Sequence, residues 1–252
     1  MYVEKFQKSA VGHMLRHYSR SSTNFSNEDI DPMRSGLNYN LAPKREQRDI
    51  CYYKERLSQV KCQNRADVKT LCDWVITLPK RDFTEDQEKC FFQSAYAFMK
   101  KRYGEKNVIS AWVHKDESGQ PHMHFSFIPI CLDKKKNIEK VSAKEVLTRN
   151  ELRCIHQEMS NHMEKTFGYD IGILNGATAG GNKTIMELKT KGLEQDIKVL
   201  EKVKRQSLID MAQTIKKAPN VLSDISKAVK IALGKEQSPP GHKHNRAHER
   251  SR

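Results

Sequence analysis

The residues best suited to chemistry lie together at positions 114–124, where the sequence reads HKDESGQPHMH. This stretch holds three histidines and two acids within eleven positions. The runs before and after it, 108–113 and 125–128, are rich in β-branched and aromatic residues, which favour strands. Gly119 and Pro121 supply turn signals between the two runs. The pattern therefore predicts a β-hairpin with the polar stretch at its closed end.

This hairpin would bring the three histidines together. Side chains at i and i+2 of a strand point to one face, so His122 and His124 project together, and an antiparallel partner places His114 across from them. Three imidazoles that leave a coordination position open are typical of a catalytic divalent metal. Asp116 and Glu117 are candidates to orient a ligand or to handle protons. The alternative is that the histidines are ordinary hydrogen-bonded residues of strands and a surface loop.

Composition and charge narrow the class of partner. The 252 residues carry 45 Lys and Arg against 31 Asp and Glu, a net charge of +14 that indicates a polyanion such as nucleic acid. The chain has no apolar run that could span a bilayer and no N-terminal signal peptide, so we expect a cytoplasmic protein. Its six cysteines form no Cys-x-x-Cys pair, which predicts reduced thiols.

The remaining sequence predicts an α+β fold around this hairpin. Hydrophobic spacing and turn residues predict strands at 1–8, 73–78 and 138–141, helices at 9–20, 44–70, 84–103 and 148–167, and an irregular stretch at 27–40. Thr84 is the expected N-cap of one helix, and Gly104 and Gly168 are expected to end two of them. Strands and helices in this order suggest an antiparallel β-sheet with flanking helices on one face.

The C-terminal part has a different character. Glycines at 176–183 predict a hinge that follows a domain at 1–175. Apolar residues three to five positions apart predict a long helix within an extension at 184–235, which packs on the domain or pairs with a second copy in a homodimer. The Pro- and Arg-rich end, 236–252, is expected to be a disordered basic tail.

Three segments together resemble a known family. They are the His-x-Asp-Glu and Pro-His-x-His motifs within 114–124, the stretch NEDIDPMRSGLNY at 27–39, and His17 followed by Arg20. This combination resembles the Mob/Pre plasmid mobilisation relaxases, the MobV-type members of the HUH endonucleases. The resemblance implies an HUH relaxase-like domain at 1–175. It also implies metal-assisted transesterification that nicks one strand of plasmid DNA at the origin of transfer (oriT) and later rejoins it.

The resemblance further implies a divalent metal, Mn²⁺ or Mg²⁺, and its ligands. By position, the residues that match the ligands are His114, His122 and His124. Glu117 matches the acid that accompanies them. One departure is that the connection at 118–121 is one residue longer than the usual one. Because loops accept insertions at small cost, the metal cluster is expected to survive this departure.

Candidates for the nucleophile also come from the resemblance. A strand that must be rejoined without ATP needs a covalent protein–DNA intermediate, which a neutral imidazole or a tyrosine hydroxyl can form. His17 matches the position of the nucleophile in this branch of the family, and Tyr39 is the alternative nucleophile. Arg20 would be a fixed cation near the phosphate. Arg34 and Tyr39 are candidate DNA contacts.

The expected partner is unpaired or hairpin oriT DNA, gripped by basic side chains and aromatic stacking. The conjugative coupling machinery is a further expected partner. Alternative functions are a rolling-circle-type initiator, a hydrolytic metal nuclease, and a non-catalytic DNA-binding accessory protein. Covalent attachment to DNA separates transesterification from hydrolysis, and metal-dependent cleavage separates both enzymes from the accessory protein.

Overall fold

The computed structural model describes residues 1–21, 27, 29–174, 185–217 and 219–233. In the C-terminal helices it describes the side chains of residues 193–214, 223–230, 232 and 233. The chain divides into two compact units, Met1–Ala177 and Thr178–Arg252. The predicted hinge at 176–183 and the predicted tail at 236–252 lie outside the described residues.

The first unit alternates strands and helices. In chain order its elements are β1 (Tyr2–Gln7), α1 (Lys8–Tyr18), a 3-10 helix (Pro32–Leu37), β2 (Tyr39–Asn40), α2 (Asp49–Ser58), β3 (Lys69–Thr77), α3 (Glu85–Tyr103), a second 3-10 helix (Glu105–Asn107), β4 (Val108–His114), β5 (His122–Phe127), β6 (Ile130–Asp133), β7 (Ile138–Val141), α4 (Ala143–Val146) and α5 (Arg149–Phe167). The α+β class predicted from the sequence is confirmed.

Five of the strands form one antiparallel sheet in the order β1-β3-β5-β4-β2. The middle strand is β5, which is hydrogen-bonded to β3 on one side and to β4 on the other. The predicted hairpin is the β4–β5 pair. Strands β6 and β7 form a separate two-stranded sheet.

Helices cover both faces of the sheet, so the prediction of helices on one face was wrong. We call the apolar residues between the sheet and α3 and α5 the first core; Trp74 and Phe125 belong to it. The second core lies between the other face and α1 and α2, and Leu71 and Ile109 belong to it. Side chains alternate between faces along a strand, so Leu71 and Trp74 of β3 face opposite cores. Apolar residues at both sets of positions require cover on both sides.

Helix ends lie where the capping residues predict them. The Thr84 hydroxyl accepts a hydrogen bond from the Gln87 amide, and the Gln87 side chain accepts one from the Thr84 amide, which forms a capping box at the start of α3. Gly104 ends α3 with a φ of +85°, and Gly168 ends α5 with a φ of +77°. Both values lie in the region that glycine adopts without steric cost, which explains why the helices end there.

The predicted helix at 44–70 is wrong over most of its length, because only Asp49–Ser58 is helical. The chain beyond this helix pairs with β7 instead. The Lys61 amide donates to the Glu139 carbonyl at 3.0 Å, and the Val141 amide donates to the Lys61 carbonyl at 2.9 Å. These contacts satisfy backbone groups that a continued helix would have paired internally. The many charged residues of the segment carry no information about this long-range pairing.

The second unit contains α6 (Ile185–Lys217) and α7 (Pro219–Ala232). The apolar spacing predicted one long helix here, and α6 is that helix. Many apolar side chains of α6 are exposed, among them Leu193, Ile197, Leu200 and Val203. Among the residues that the structure describes, no helix is long and apolar enough to cross a membrane. All six cysteines, which lie in the first unit, are free.

Candidate functional site

The β4–β5 hairpin brings the three predicted histidine ligands to one point. In the sheet register His122 lies opposite His114 on β4 and opposite Thr77 on β3, and His124 lies opposite Val75. The centroids of the three imidazole rings are 4.9–5.5 Å apart. One ligand nitrogen from each ring lies within 4.8 Å of the others. This spacing allows all three imidazoles to bind one ion.

Hydrogen bonds to neighbouring groups fix the orientation of two of these rings. His124 Nδ1 lies 2.6 Å from Asp73 Oδ2, and we assign the proton to Nδ1, which leaves Nε2 for a metal. His114 Nε2 donates to the Tyr18 carbonyl oxygen at 2.7 Å, which leaves Nδ1 as its free nitrogen. That nitrogen accepts a hydrogen bond from Arg20 Nη2 at 3.0 Å, a contact that an ion bound at Nδ1 would replace.

The environment keeps two of these histidines, His114 and His124, neutral. Burial, the His124 ring and the Arg20 charge lower the pKa of His114 to about 2. Burial and the charge of His122 lower the pKa of His124 well below its ordinary value. Burial also raises the pKa of Asp73 to about 7, even though it receives hydrogen bonds. A neutral imidazole is the form that binds metal ions, so the donor atoms fit a divalent transition metal such as Mn²⁺.

The C-terminal end of α1 covers the histidine cluster. The Tyr18 ring is fully buried and stacks on the His124 ring with a centroid distance of 4.5 Å. Its neighbour His17 is half-buried, and the centroid of its ring is 6.3 Å from those of both His114 and His124. Burial and the Arg20 charge lower the pKa of His17, so its imidazole is neutral at neutral pH. His17 thus presents a neutral nitrogen beside the cluster.

Arg20 follows α1 in a left-handed conformation, with a φ of +51°. Its guanidinium donates to both carboxylate oxygens of Asp116, at 2.9 and 3.0 Å, and to Glu117 Oε1 at 2.6 Å. It also donates to the His17 carbonyl oxygen at 2.8 Å, and its Nη1 lies 3.5 Å from His17 Nε2. Arg20 therefore lies beside the candidate metal ligands. Its charge is shared with two carboxylates, so it does not act as a lone cation.

Glu117 lies between two of the candidate ligands. Its Oε1 is 3.8 Å from His114 Nδ1, and its Oε2 is 3.8 Å from His122 Nε2. The hydrogen bond from Arg20 fixes this carboxylate in place. At these distances Glu117 can accept a proton within the site or approach an ion held by the histidines.

The irregular segment before β2 packs on the connection between β4 and β5. The Asp31 amide donates to the Asp116 carbonyl oxygen at 2.7 Å, and Ser35 Oγ donates to Asp116 Oδ2 at 2.7 Å. The Lys115 amide donates to Asn38 Oδ1 at 2.8 Å. Burial alone would raise the pKa of Asp116, but hydrogen bonds from Arg20 and Ser35 lower it below its ordinary value. Asp116 therefore carries a negative charge that joins this segment to α1.

The remaining two predicted site residues, Tyr39 and Arg34, are not part of the histidine cluster. Tyr39 is paired with Val113, so both side chains point to the face of the first core, which is opposite to the face that carries the histidines. Its buried hydroxyl makes no hydrogen bond to any described residue. Burial and Glu88 raise the pKa of Tyr39 to about 12. Arg34 is exposed on the first 3-10 helix.

The sequence interpretation missed two residues of the site and undervalued a third. Asp73 was read only as part of a buried strand, although a lone acid at an inward-facing position of an apolar strand indicates a specific partner. Tyr18 carries no such signal, because its role depends on a stack formed by tertiary packing. Asp116 was taken as one of two possible accessory acids, and it is completely buried at the centre of the network around Arg20.

Fold and site together define a class of protein. It is an α+β protein in which the central hairpin of an antiparallel sheet carries three histidines that could hold one metal ion, with a fourth histidine beside them at a helix end. The Mob_Pre family model, described as plasmid recombination enzyme, matches residues 1–190. The chain belongs to this family, which confirms the resemblance inferred from its motifs.

Several curated plasmid recombination enzymes are similar to this chain. One from Streptococcus agalactiae is 33% identical over 220 residues, which cover 82% of this chain and 42% of the relative. One from Bacillus thuringiensis is 34% identical over 177 residues, or 68% of this chain and 38% of the relative. One from Lactiplantibacillus plantarum is 32% identical over 198 residues, or 76% of this chain and 52% of the relative. The chain thus matches only about two fifths to one half of the length of these relatives.

The first unit is also similar to solved structures. A Mn-bound crystal structure of the MobM relaxase domain, a MOBV and Mob_Pre protein bound to plasmid pMV158 oriT DNA, matches with a TM-score of 0.61 and 31% identity. The match covers 75% of this chain and 96% of that one. Another Mn-bound structure of the same domain with oriT DNA matches with a TM-score of 0.60 and 29% identity.

Proposed function

We propose that this chain is a plasmid mobilisation relaxase that nicks one strand at the origin of transfer by transesterification and later rejoins it. The observation that carries the proposal is the position of neutral His17 beside three histidines that converge on one point. Membership of the Mob_Pre family and the similarity to a Mn-bound relaxase domain in complex with oriT DNA support it.

The metal in this proposal is Mn²⁺ or Mg²⁺, held by His114, His122 and His124. When bound, it would polarise a non-bridging phosphate oxygen and stabilise the charge that develops on the leaving 3′ oxygen. Asp73 and the Tyr18 carbonyl oxygen position two of the ligand rings through their hydrogen bonds. Because an imidazole that binds a metal contributes no negative charge, three such ligands would favour an anionic phosphate as the further ligand.

His17 is the proposed nucleophile. Its imidazole nitrogen forms a bond to phosphorus, and the phosphorus–oxygen bond to the 3′ oxygen breaks, which leaves a free 3′-hydroxyl and a phosphoramidate link to the protein. In the reverse step a 3′-hydroxyl displaces the imidazole and restores the phosphodiester. The buried hydroxyl of Tyr39, on the other face of the sheet and with a pKa raised to about 12, makes that residue the weaker candidate.

Arg20 is proposed to position His17 and Glu117, and Glu117 is proposed to transfer protons. Arg20 holds the Glu117 carboxylate at 2.6 Å and donates to the backbone next to the nucleophile. In the forward step the proton lost from the His17 ring passes to the leaving 3′ oxygen, and Glu117, 3.8 Å from two of the ligand nitrogens, is placed to relay it. In the reverse step Glu117 accepts the proton of the entering 3′-hydroxyl. Arg20 therefore acts mainly by orienting Glu117 and His17.

The proposed substrate is unpaired or hairpin oriT DNA in the bacterial cytoplasm. The net charge of +14 and the exposed Arg34 favour binding to a phosphate backbone. The partly buried Tyr39, directed into the first core, offers little surface for stacking on a base. The exposed apolar residues of α6 favour pairing with a second copy, and the coupling machinery of conjugation is a further proposed partner.

The test is covalent attachment to DNA. The protein is incubated with Mn²⁺ and single-stranded oligonucleotides that tile the DNA beside its own gene, and adducts that resist denaturation are separated by electrophoresis. We expect an adduct in the wild type and in Tyr39→Phe, and none in His17→Ala. His13→Ala is the matched control, since His13 is an exposed histidine one turn earlier on the same helix.

Other outcomes support other functions. An adduct lost only in Tyr39→Phe would transfer the nucleophile to that residue. Cleavage without any adduct would indicate a hydrolytic metal nuclease. An adduct formed only at a replication origin would indicate a rolling-circle initiator. If the protein binds oligonucleotides but cleaves none of them in the presence of metal, it is a DNA-binding accessory protein.

A further inference from the structure

The first 3-10 helix, Pro32–Leu37, exposes its apolar side chains instead of burying them. None of its six residues is buried. Met33 is 92% exposed and Leu37 is 54% exposed, although both are large and apolar. The helix is therefore held in place by something other than apolar packing.

Hydrogen bonds to the β4–β5 connection hold this helix. Ser35, in its middle, donates to the buried Asp116 carboxylate at 2.7 Å. Asp31, at its start, donates from its amide to the Asp116 carbonyl oxygen at 2.7 Å. Asn38, directly after its end, accepts from the Lys115 amide at 2.8 Å. All three contacts are made to the two residues that follow the ligand His114, so the exposed surface of the helix has a fixed position beside the metal centre.

Single exposed apolar residues need no explanation, but two of them on one short helix attached beside the histidine cluster do. An unpaired nucleobase has an apolar face that a duplex would cover, and Met and Leu side chains are among those that proteins insert against bases. A strand whose phosphate lies at the histidines continues on both sides of them, and this helix is attached to Asp116, two residues after His114. Arg34, exposed in the same helix, supplies positive charge for the backbone of such a strand.

We propose that Met33 and Leu37 form an apolar contact surface for unpaired nucleobases next to the phosphate bound at the histidine cluster. The inference rests on the proposed function, because it requires single-stranded DNA at the site. It assigns base contacts to the two apolar residues and a backbone contact to Arg34. A second copy of the chain is the rival occupant of this surface.

The experiment measures binding of fluorescently labelled single-stranded oligonucleotides from the DNA beside the gene, without metal, so that cleavage does not interfere. We expect the double variant Met33→Ala/Leu37→Ala to bind about tenfold more weakly than the wild type at every salt concentration, since apolar contacts release no counterions. Arg34→Ala should instead reduce the slope of log affinity against log salt by about 1. Leu132→Ala, which removes a leucine of equal exposure (54%) on β6, is the matched control and should bind as the wild type does.

A second probe identifies the base as the contact. Oligonucleotides in which one nucleotide at a time is abasic should bind the wild type more weakly at one or two positions, and at those positions the double variant should show no further loss. Equal binding by the double variant and the wild type would overturn the inference. A loss of affinity in the double variant that persists with every abasic oligonucleotide would also overturn it. So would the finding that the wild type is a dimer and the double variant is a monomer. A wild type that binds none of the oligonucleotides would instead count against the proposed function itself.

Discussion

The Asp73 carboxylate is buried within a strand whose other inward-facing residues are mostly apolar, and its contact with His124 accounts for that position. Burial raises its pKa to about 7, which measures the cost of placing the charge there. The imidazole N–H offsets part of that cost by donating to the carboxylate. The pair fixes the ring orientation and leaves Nε2 of His124 available to bind a metal together with the other two histidines.

Replacing Asp73 by Asn should weaken metal binding. The amide is neutral and can turn its NH₂ group to the imidazole, which favours the wrong tautomer of His124. We expect the affinity for Mn²⁺ to fall by about 10- to 100-fold, the usual effect of changing a group that orients a metal ligand. Mn²⁺ titration followed by electron paramagnetic resonance measures it. Asp67→Asn changes an exposed acid and is the control, and equal affinities in the two variants would contradict the role of Asp73.

The rate of adduct formation should depend on pH through His17. Burial lowers the pKa of this histidine, so the neutral imidazole persists to lower pH than in a free peptide. The acid limb of the rate at saturating Mn²⁺ should therefore lie below pH 6.5, about the ordinary pKa of histidine. Initial rates measured across the pH range test this expectation. An acid limb centred above pH 7 would show that protonation of His17 does not control the step.

At the scale of elements, Asp116 joins three pieces of chain. It binds Arg20 after α1, Ser35 in the 3-10 helix, and, through its own backbone, the connection between β4 and β5. The Arg20 side chain is only 6% exposed, so its charge depends on the two carboxylates that surround it. The nucleophile candidate on α1 is thereby attached to the hairpin that carries the ligands.

Asp116→Asn should lower the free energy of unfolding by about 3 kcal/mol, because it leaves the buried guanidinium of Arg20 with one carboxylate instead of two. Ser35→Ala removes one hydrogen bond to the same carboxylate and should cost about 1 kcal/mol. Chemical denaturation of both variants measures the difference. If the two variants lose equal stability, the charge of Asp116 is not what matters.

The sequence predicted those elements whose determinants are local. α3 and α5 have a capping threonine at one end and a glycine at the other, and the β4–β5 hairpin has two strand-forming runs around a turn. The in-phase histidines followed from that hairpin alone. The face occupied by Tyr39 depends on the pairing of β2 with β4, about 70 residues apart, and no local pattern encodes that register. The contact of Asp73 with His124 depends equally on a long-range pairing.

At the scale of the whole molecule, the excess of basic residues decides how the protein meets a polyanion. A net charge of +14 spread over a chain of 252 residues attracts phosphate backbones before any specific contact forms. Arg20, which lies in the site, adds little to this charge, because its ion pairs with Asp116 and Glu117 already neutralise it. The rest belongs to exposed side chains, whose interactions salt screens readily.

Binding of single-stranded DNA by the whole chain should therefore weaken steeply with salt. We expect the affinity to fall by a few hundredfold between 50 and 200 mM salt, which corresponds to roughly six phosphate contacts at a slope near −0.7 for each. Fluorescence anisotropy at several salt concentrations measures the slope. A flat dependence would mean that base contacts, and not the phosphate backbone, supply most of the affinity.

The position of β5 in the middle of the sheet has a consequence for how this family can diversify. His122 and His124 are held in register by β3 on one side, independently of the connection that leads from β4. A change in the length of that connection therefore does not rotate the ligands to the other face. Residues 118–121 can therefore be lengthened or shortened while the histidines keep their places, whereas Asp116 and Glu117 are held by Arg20.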